Sequence, residues 1–416
     1  MNSTVFDSAP GTTSARAPFV RLSIMMFLEF VVFGSWFATL GLVLAANKMP
    51  AIIGTAYSLA AVAAIVSPLF LGALGDRFFQ SQRLLSFVHI AGGLVMLCIP
   101  GAVAADNGQL VLLLILAYMI LFMPTLALTN SIALAHLPGS EHLFPFIRVF
   151  GTVGWVVAGL LVGWLGFSAS THVFTVAAVA SFVLGVFSLG LPSTPPPAKG
   201  AKFSVGDVIG AKALVLFKNR NFSVLMVCAL LTSISLGVYN TFASPYLSAI
   251  GIQNVAGVLA IGQASEVVFI VTIPFVVARF GIKRAILLGM VMWGARFGLF
   301  IMAQDGQSWF AIAAVALQGI CNDFFLILSA MFIDRQTPPQ LKAQAQSWLI
   351  LVVSGFGSGI GSFVAGEIFG AKVAPNLAVG AEAWTPLWLF PIGCAVVTAI
   401  IWTLFFKPIP IPRDDA

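Results

Sequence analysis

Long apolar blocks separated by short polar stretches dominate the chain. Each block is about 20 residues long or longer, which an α-helix needs to cross a hydrocarbon core of about 30 Å. Main-chain polar groups inside lipid must pair within their own segment, so the blocks are predicted to be membrane-spanning helices and not isolated strands. Twelve blocks are visible, at 20–46, 51–74, 84–104, 109–136, 145–166, 172–191, 222–246, 253–278, 284–303, 309–332, 344–370 and 385–406.

Composition excludes an ordinary soluble protein. Of the 416 residues, 60% are hydrophobic and 8% are charged, whereas soluble domains carry about 25% charged residues. The first 19 residues are polar and show no cleavable signal peptide. The cysteines lie inside apolar blocks without metal-ligand spacing, so we expect neither a metal site nor a cofactor.

The net charge of +6 reflects topology. Most basic residues fall in the termini and in alternate connections, while the opposite connections contain only Lys48 and Lys372. Cytoplasmic connections collect Lys and Arg, and an even number of spans keeps both ends on one side, so both termini are predicted to be cytoplasmic. The partner of this chain is therefore a lipid bilayer, and no nucleic acid partner is expected.

The longest polar interruption divides the chain into two sets of six spans. It opens with Pro192-Ser-Thr-Pro195-Pro196-Pro197, which cannot continue a helix. Two related bundles with a binding site between them are typical of secondary transporters. The predicted divisions are a tail at 1–19, a six-helix bundle at 20–191, a cytoplasmic linker at 192–221, a second six-helix bundle at 222–406 and a tail at 407–416.

A basic turn follows the second span and is repeated after the eighth. The first copy reads Gly72-Ala-Leu-Gly75-Asp76-Arg77, with Arg83 close behind, and the second copy lacks the acidic residue. This pattern resembles the signature of the major facilitator superfamily. The resemblance implies an all-α fold of twelve transmembrane helices in two bundles, with Gly72, Asp76, Arg77 and Arg83 forming a conformational latch. The alternative is a plain cytoplasmic turn that carries topology charges.

Ionisable residues inside the apolar blocks are the main candidates for function. A charge at the bilayer centre costs at least about 2.5–3.5 kcal/mol, so such residues are retained for a reason. The set is Glu29, Arg148, Glu266, Arg296, Asp323 and Glu367.

Two sets of neighbouring residues each place polar groups on one face of their helix. Arg148, Thr152 and Trp155 follow the i, i+4, i+7 spacing, which combines a cation, a hydroxyl and an aromatic ring. Gln263 and Glu266 follow the i, i+3 spacing and offer an amide beside a carboxylate. Both sets are predicted to bind substrate; structural ion pairs or interhelical hydrogen bonds are the alternatives.

Proton coupling requires a carboxylate whose protonation responds to its surroundings. Asp323 lies deep in its apolar block, and a permanent salt bridge to Arg296 or Arg148 is the alternative role. Glu266 and Glu29 are the other candidate proton carriers.

The chain also resembles the nucleoside:proton symporter family over almost its whole length. The matching segments are Phe27-Leu-Glu29-Phe, Gly34-Ser-Trp36, Tyr118-x5-Pro124-Thr-Leu-Ala-Leu-Thr-Asn130, Pro145-x-Ile-Arg148-Val-x-Gly151-Thr152, Gly262-Gln263-Ala-Ser-Glu266 and Asp323-Phe324. The resemblance implies that Arg148, Thr152, Gln263 and Glu266 contact the nucleoside and that Asp323 couples transport to the proton.

One departure bears on the substrate. Members of that family carry aromatic residues just before the Asp of the tenth span, where this chain has Gln318 and Asn322. Both are predicted to face the substrate, and Trp155 is a candidate replacement for the lost stacking surface.

These observations predict a monomeric, proton-coupled secondary active transporter in a bacterial inner membrane that imports nucleosides by alternating access. The alternative is proton-coupled or facilitative transport of another hydroxylated solute, such as a sugar. An enzyme is not expected, because His89, His136, His142 and His172 form no recognisable catalytic motif. ATP-driven pumping is not expected either, because no Walker-type loop is present.

Overall fold

The computed structural model describes residues 16–67, 78–137, 143–196, 206, 210–303 and 306–407, and this part of the chain is mostly helical and contains no strand. Among the described residues, the N-terminal half contains seven α-helices: α1 (Arg16–Gly34), α2 (Leu40–Ala46), α3 (Ile53–Ser67), α4 (Ser81–Ala104), α5 (Gly108–Ala135), α6 (Phe144–Trp164) and α7 (His172–Ser188). The described part of the C-terminal half contains eight α-helices: α8 (Arg220–Ala249), α9 (Val255–Met302), α10 (Ser308–Ala316), α11 (Gln318–Asn322), α12 (Leu328–Gln336), α13 (Lys342–Ile350), α14 (Ser358–Ile368) and α15 (Thr385–Phe405).

Several helices are interrupted within one apolar block. The first block is split into α1 and α2 by a turn at residues 35–39. The tenth block bends by 40° between α10 and α11, and continues from α11 through a π-helical turn at Asp323–Ile327 into α12. Further π-helical turns lie at Leu351–Gly357 and Phe369–Val373. Such turns are uncommon and often occur at functional sites.

The eighth and ninth blocks, predicted as separate spans, form the 48-residue stretch α9. Its regular geometry is broken at Gly281, where φ is 74° and ψ is 158°. Only glycine adopts this conformation at little cost, so the chain bends here between two helical arms. The break lies inside the second basic turn.

Length and hydropathy alone make eight of the described helical stretches able to cross a membrane, or nine if the bent pair at Ser308–Gln336 is one span. Large apolar side chains cover the outside of these helices; for example, Trp164 is 80% exposed and Phe275 is 73% exposed. Exposed apolar surface on this scale suits contact with lipid. The arrangement is that of a multi-pass membrane protein.

The two halves are joined by packing of α3 on α14, where Ser58 Oγ donates to the main-chain oxygen of Gly359 (3.2 Å), and by hydrogen bonds at one end of the molecule. Leu42 N donates a hydrogen bond to Ser244 Oγ (3.3 Å), and Ala256 N donates one to Ser168 Oγ (3.2 Å). Helix α7 begins just after Ser168 and runs to the opposite end, where the two halves are connected along the chain. The contacts therefore close the end that lies away from this connection.

Close helix packing depends on glycines, and one of them offers a stability test. A methyl group at Gly154 in α6 would overlap the main-chain carbonyl of Phe27 in α1, whereas one at Gly101 in α4 meets nothing within 4 Å. We expect Gly154→Ala to lower the thermal unfolding midpoint, because overpacking costs about 1–3 kcal/mol. Gly101→Ala is the matched control and should leave the midpoint unchanged or slightly higher, because Ala is the better helix former. Equal midpoints for the two variants would contradict this packing.

Candidate substrate site

A cavity of about 370 Å³ lies between the two halves. Its N-terminal side comes from α1, the following turn and α6, and its C-terminal side from α8, α9, α11 and the π-helical turn. The lining residues are Phe30, Phe33, Phe37, Ala38 and Trp155 on the first side, and Leu236, Tyr239, Asn240, Ala243, Leu259, Gln263, Glu266, Gln318, Asn322 and Leu326 on the second.

Aromatic rings form the N-terminal wall. Phe30, Phe33 and Phe37 project from the end of α1 and the turn after it. The ring of Trp155 meets that of Phe33 edge to face, with the centroids 5.0 Å apart and the planes at 85°. Gly34 ends α1 and permits this contact, because a Cβ there would lie 3.0 Å from Trp155 Cα. The wall provides flat apolar surface for a planar solute.

Amides and a carboxylate form the C-terminal wall. Asn322 Nδ2 donates a hydrogen bond to Glu266 Oε1 (2.8 Å), and Gln318 Nε2 approaches the same oxygen at 3.4 Å. Gly262 brings α9 close to α11, since a Cβ there would lie 3.1 Å from Gln318 Cβ. Gln263 lines the cavity one turn before Glu266. Every ionisable side chain that lines the cavity in the described part of the chain belongs to this wall.

Asp323 directly follows the amide pair but does not line the cavity. Its side chain is buried at the start of the π-helical turn, and its Oδ2 atom has no hydrogen-bond partner within the described residues. A buried, incompletely paired carboxylate is costly when ionised. Neither Arg296 nor Arg148 forms a salt bridge with Oδ2 in this conformation.

Arg148 and Thr152 are not among the cavity-lining residues, unlike Trp155 from the same stripe. The guanidinium of Arg148 lies over the ring of Phe30, with Cζ 4.4 Å from the centroid. Because Phe30 lines the cavity, Arg148 contacts the site through this ring. The stripe is thus divided between the wall and the layer behind it.

Glu29 belongs to a polar cluster within the N-terminal half and does not line the cavity. It is fully buried, and its Oε2 atom lies 2.9 Å from His89 Nε2. The hydroxyl of Thr125 lies 2.5 Å from its Oε1 atom. Both carboxylate oxygens therefore have partners from neighbouring helices.

The predicted latch is described only in part. Gly72, Asp76 and Arg77 lie outside the described residues, and Arg83 is exposed in the first turn of α4. The latch therefore stays a prediction.

Sequence reasoning missed the aromatic partners of the site. Phe30, Phe33 and Phe37 repeat at i, i+3 and i+7, a helical stripe directly after Glu29 that was present in the sequence. Tyr239 faces them from α8. In a chain with 37 phenylalanines, this stripe does not stand out from other aromatic residues. The sequence also does not show which helix packs opposite the stripe.

Comparison with known proteins assigns the family. The family model described as nucleoside H⁺ symporter matches residues 18–410. The chain belongs to this family. It is 35% identical to the putative nucleoside transporter YegT of Escherichia coli over 401 residues, covering 93% of each chain. It is 31% identical to the xanthosine permease of the same organism over 409 residues, covering 93% of this chain and 96% of the relative.

A solved structure supports the same assignment. The crystal structure of the nucleoside transporter NupG superposes on this nucleoside H⁺ symporter with a TM-score of 0.83, at 28% identity, covering 94% of this chain and 99% of NupG. The resemblance to the major facilitator fold and to the symporter family, expected from sequence motifs, is confirmed. The protein is a transporter and not an enzyme.

The cluster around Glu29 can be tested with two threonines of α5. We expect Thr125→Val to lower the free energy of unfolding by about 1–3 kcal/mol, because Glu29 Oε1 loses its hydroxyl donor in a buried position. Thr129→Val is the matched control: its hydroxyl donates to the main-chain oxygen of Thr125, which the helix also satisfies. Its effect should be smaller, at most about 1 kcal/mol, because the main-chain oxygen of Thr125 keeps its helical partner. Denaturant unfolding in detergent measures both values, and equal losses would argue against a special role for the Thr125 contact.

Proposed function

We propose that this nucleoside H⁺ symporter imports nucleosides together with protons, and that the cavity between the halves is its substrate site. The observation that carries the proposal is the pairing of an aromatic wall with a carboxylate and amide wall across one cavity. A nucleoside has a flat base and a hydroxylated sugar, and so matches both walls. A volume of about 370 Å³ also falls within the usual range for small-molecule sites, about 300–1,000 Å³.

The proposed contacts follow from the chemistry of each wall. Trp155 and the phenylalanines of α1 stack on the base, which makes up for the aromatic residues absent before Asp323. Glu266, Gln263, Gln318 and Asn322 exchange hydrogen bonds with the sugar hydroxyls and the polar edge of the base. Arg148 and Thr152 are proposed to reach the substrate when Phe30 shifts, since Arg148 lies directly on that ring.

Asp323 is the proposed proton carrier, with Glu266 as the group that senses the substrate. Asp323 is buried, lacks a partner at Oδ2 and follows the amide that holds Glu266. Uptake and release of a proton at this position avoid a permanent buried charge. Glu29 is the second candidate carrier, and its contact with His89 provides an internal path for a proton within the N-terminal half.

The conformation supports alternating access. We propose that it is inward-facing, because hydrogen bonds between the halves close the end away from the interdomain connection. The same proposal includes twelve spans, two bundles at 20–191 and 222–406, a cytoplasmic linker at 192–221 and cytoplasmic tails. It also includes a monomeric state in a bacterial inner membrane, with the latch of Gly72, Asp76, Arg77 and Arg83 working at the cytoplasmic side.

A second candidate substrate is a sugar or a similar hydroxylated solute. Gln318 and Asn322 favour it, because amides next to Glu266 suit a hydroxyl-rich ligand. The aromatic wall is compatible with both candidates, since sugars also pack on aromatic rings.

Uptake into proteoliposomes tests the function directly. Purified protein is reconstituted, and radiolabelled uridine, adenosine and a panel of sugars are added outside the vesicles. Uptake is measured with and without a pH gradient in which the outside is the more acidic side. We expect nucleoside accumulation that requires the gradient, at most about tenfold per pH unit for one proton per substrate. Asp323→Asn should exchange nucleosides downhill without accumulating them.

The other outcomes are equally informative. Accumulation of a sugar without nucleoside transport would replace the substrate and keep the transporter. If the substrate only equilibrates across the membrane, with or without the pH gradient, in both the wild type and Asp323→Asn, the protein is a uniporter. Asp323 would then have no coupling role.

Glu266 provides a test of the polar wall. We expect Glu266→Gln to weaken nucleoside binding about 10- to 150-fold, because hydrogen bonds to a charged group contribute about 1.5–3 kcal/mol. Glu367→Gln is the matched control, since Glu367 is an exposed carboxylate in α14. Binding is measured by calorimetry in detergent. Equal affinities for Glu266→Gln and the wild type would place the substrate elsewhere.

A further inference from the structure

Arg296 is a buried cation that the proposed transport cycle leaves unused. It is 0% exposed, and none of its three guanidinium nitrogens has a hydrogen-bond partner among the described residues. The guanidinium lies flat against the ring of Tyr239, with Cζ 3.4 Å from the centroid, and 5.1 Å from the ring of Trp293. A cation–π contact offsets only part of the cost of removing a guanidinium from water.

Three unsatisfied acceptors lie on one segment of the C-terminal half. They are Gln318 Oε1, Asn322 Oδ1 and Asp323 Oδ2, all buried and without partners in the described part of the chain. A donor group with no acceptor and acceptors with no donor thus occur together within the C-terminal half. Buried polar groups are normally paired, so this mismatch points to a pairing that forms in another state.

Helix packing places Arg296 beside the start of this segment. In the second arm of α9, Gly289 packs on the main chain of the π-helical turn, because a Cβ there would lie 2.8 Å from Phe325 N. Consecutive spans run antiparallel. Arg296 follows Gly289 by two turns, and Gln318 precedes Phe325 by two turns, so Arg296 stands at the level of Gln318.

The acceptors sit on a segment with an irregularity at each end. The 40° bend before Gln318 and the π-helical turn that starts at Asp323 enclose the five residues of α11. A π-helical turn can relax to α-helix by a one-residue change of register, which rotates the neighbouring side chains. The segment that holds Glu266 through Gln318 and Asn322 also carries Asp323.

We propose that Arg296 is the positioning residue that links the proton on Asp323 to the substrate at Glu266. When Asp323 is protonated, Arg296 rests on Tyr239, as in the present conformation. When Asp323 releases its proton, the guanidinium pairs with the carboxylate and turns the 318–323 segment. This movement takes the amides away from Glu266 and releases the substrate. The inference rests on the proposed function and deepens it.

The groups that face this exchange come from four elements. Tyr239 is contributed by α8, Trp293 and Arg296 by the second arm of α9, Glu266 by its first arm, and Cys321 and Asp323 by α11 and the turn after it. Among the described groups of these elements, Glu266 and Asp323 are the carboxylates that could pair with Arg296. A pH effect that depends on Arg296 therefore reports on one of these two, and Glu266→Gln separates them.

The first test is the pH dependence of nucleoside binding for the wild type and for Arg296→Gln. Binding needs protonated Asp323, so affinity falls as the pH rises through its titration. The Arg296 charge favours the ionised carboxylate, and its loss should move the midpoint upward by about one to three pH units. Arg296→Lys, which keeps the charge, should return the midpoint towards the wild-type value. An unchanged midpoint in Arg296→Gln would overturn the proposal.

The second test separates coupling from binding. In proteoliposomes, Arg296→Gln should retain nucleoside counterflow but lose accumulation, with the inside-to-outside ratio falling to about one, because the proton is no longer released inward. Accumulation equal to the wild type would overturn the inference and leave the proposed function intact. Absence of nucleoside exchange in the wild type would instead remove the proposed function.

A double variant covers the case in which Arg296→Gln does not fold. Arg296→Gln combined with Asp323→Asn removes both charges, so folded protein should be recovered and its binding should be independent of pH, as in Asp323→Asn alone. If the two groups pair, the effects of the single changes are not additive. Failure to recover folded protein, or additive effects on binding, would count against the pairing.

Discussion

The hydrogen bond from Asn322 Nδ2 to Glu266 Oε1 is the contact on which the site depends. It holds a carboxylate at the edge of the cavity, where an amide and no described cation is hydrogen-bonded to it. It also ties the first arm of α9 to α11, immediately before Asp323. The amide that bonds Glu266 and the carboxylate of Asp323 therefore lie within a single helical turn.

The glycine positions explain how these groups come within reach. Gly262 and Gly319 bring α9 and α11 close together, and the main-chain nitrogen of Gly319 donates to Ser265 Oγ at 2.9 Å. Gly34 does the same for Trp155 on the opposite wall. Without these close approaches the helices within each wall would stand further apart, and the side chains of Gln318, Asn322 and Trp155 would be displaced from the cavity. Small residues thus set the dimensions of the site while larger residues supply its chemistry.

Much of the fold was visible in the sequence, and its reasons are physical. Apolar blocks of helix length have few alternatives in lipid, and charges inside them are too costly to be accidental, so Glu266 and Asp323 stood out. The turn at residues 35–39, the bend before Gln318 and the π-helical turn at Asp323 leave no comparable pattern, because they depend on how neighbouring helices pack. The same limit applies to the contact between Tyr239 and Arg296 and to the division of the stripe from Arg148 to Trp155, because both depend on helix packing. Periodicity identifies a helical face, but it does not identify what that face meets.

The chemical difference between the two walls of the cavity has a consequence for which solutes can be carried. In the proposed site, an apolar solute would contact only the aromatic wall, and a small polar solute would contact only the carboxylate and amide wall. Neither bridges the gap, so neither gains from bringing the halves together. A flat molecule with a hydrophilic edge would contact both walls at once and so stabilise the approach of the two halves. Selectivity in such a carrier would depend less on affinity alone than on whether the bound solute keeps contact with both halves while they change conformation.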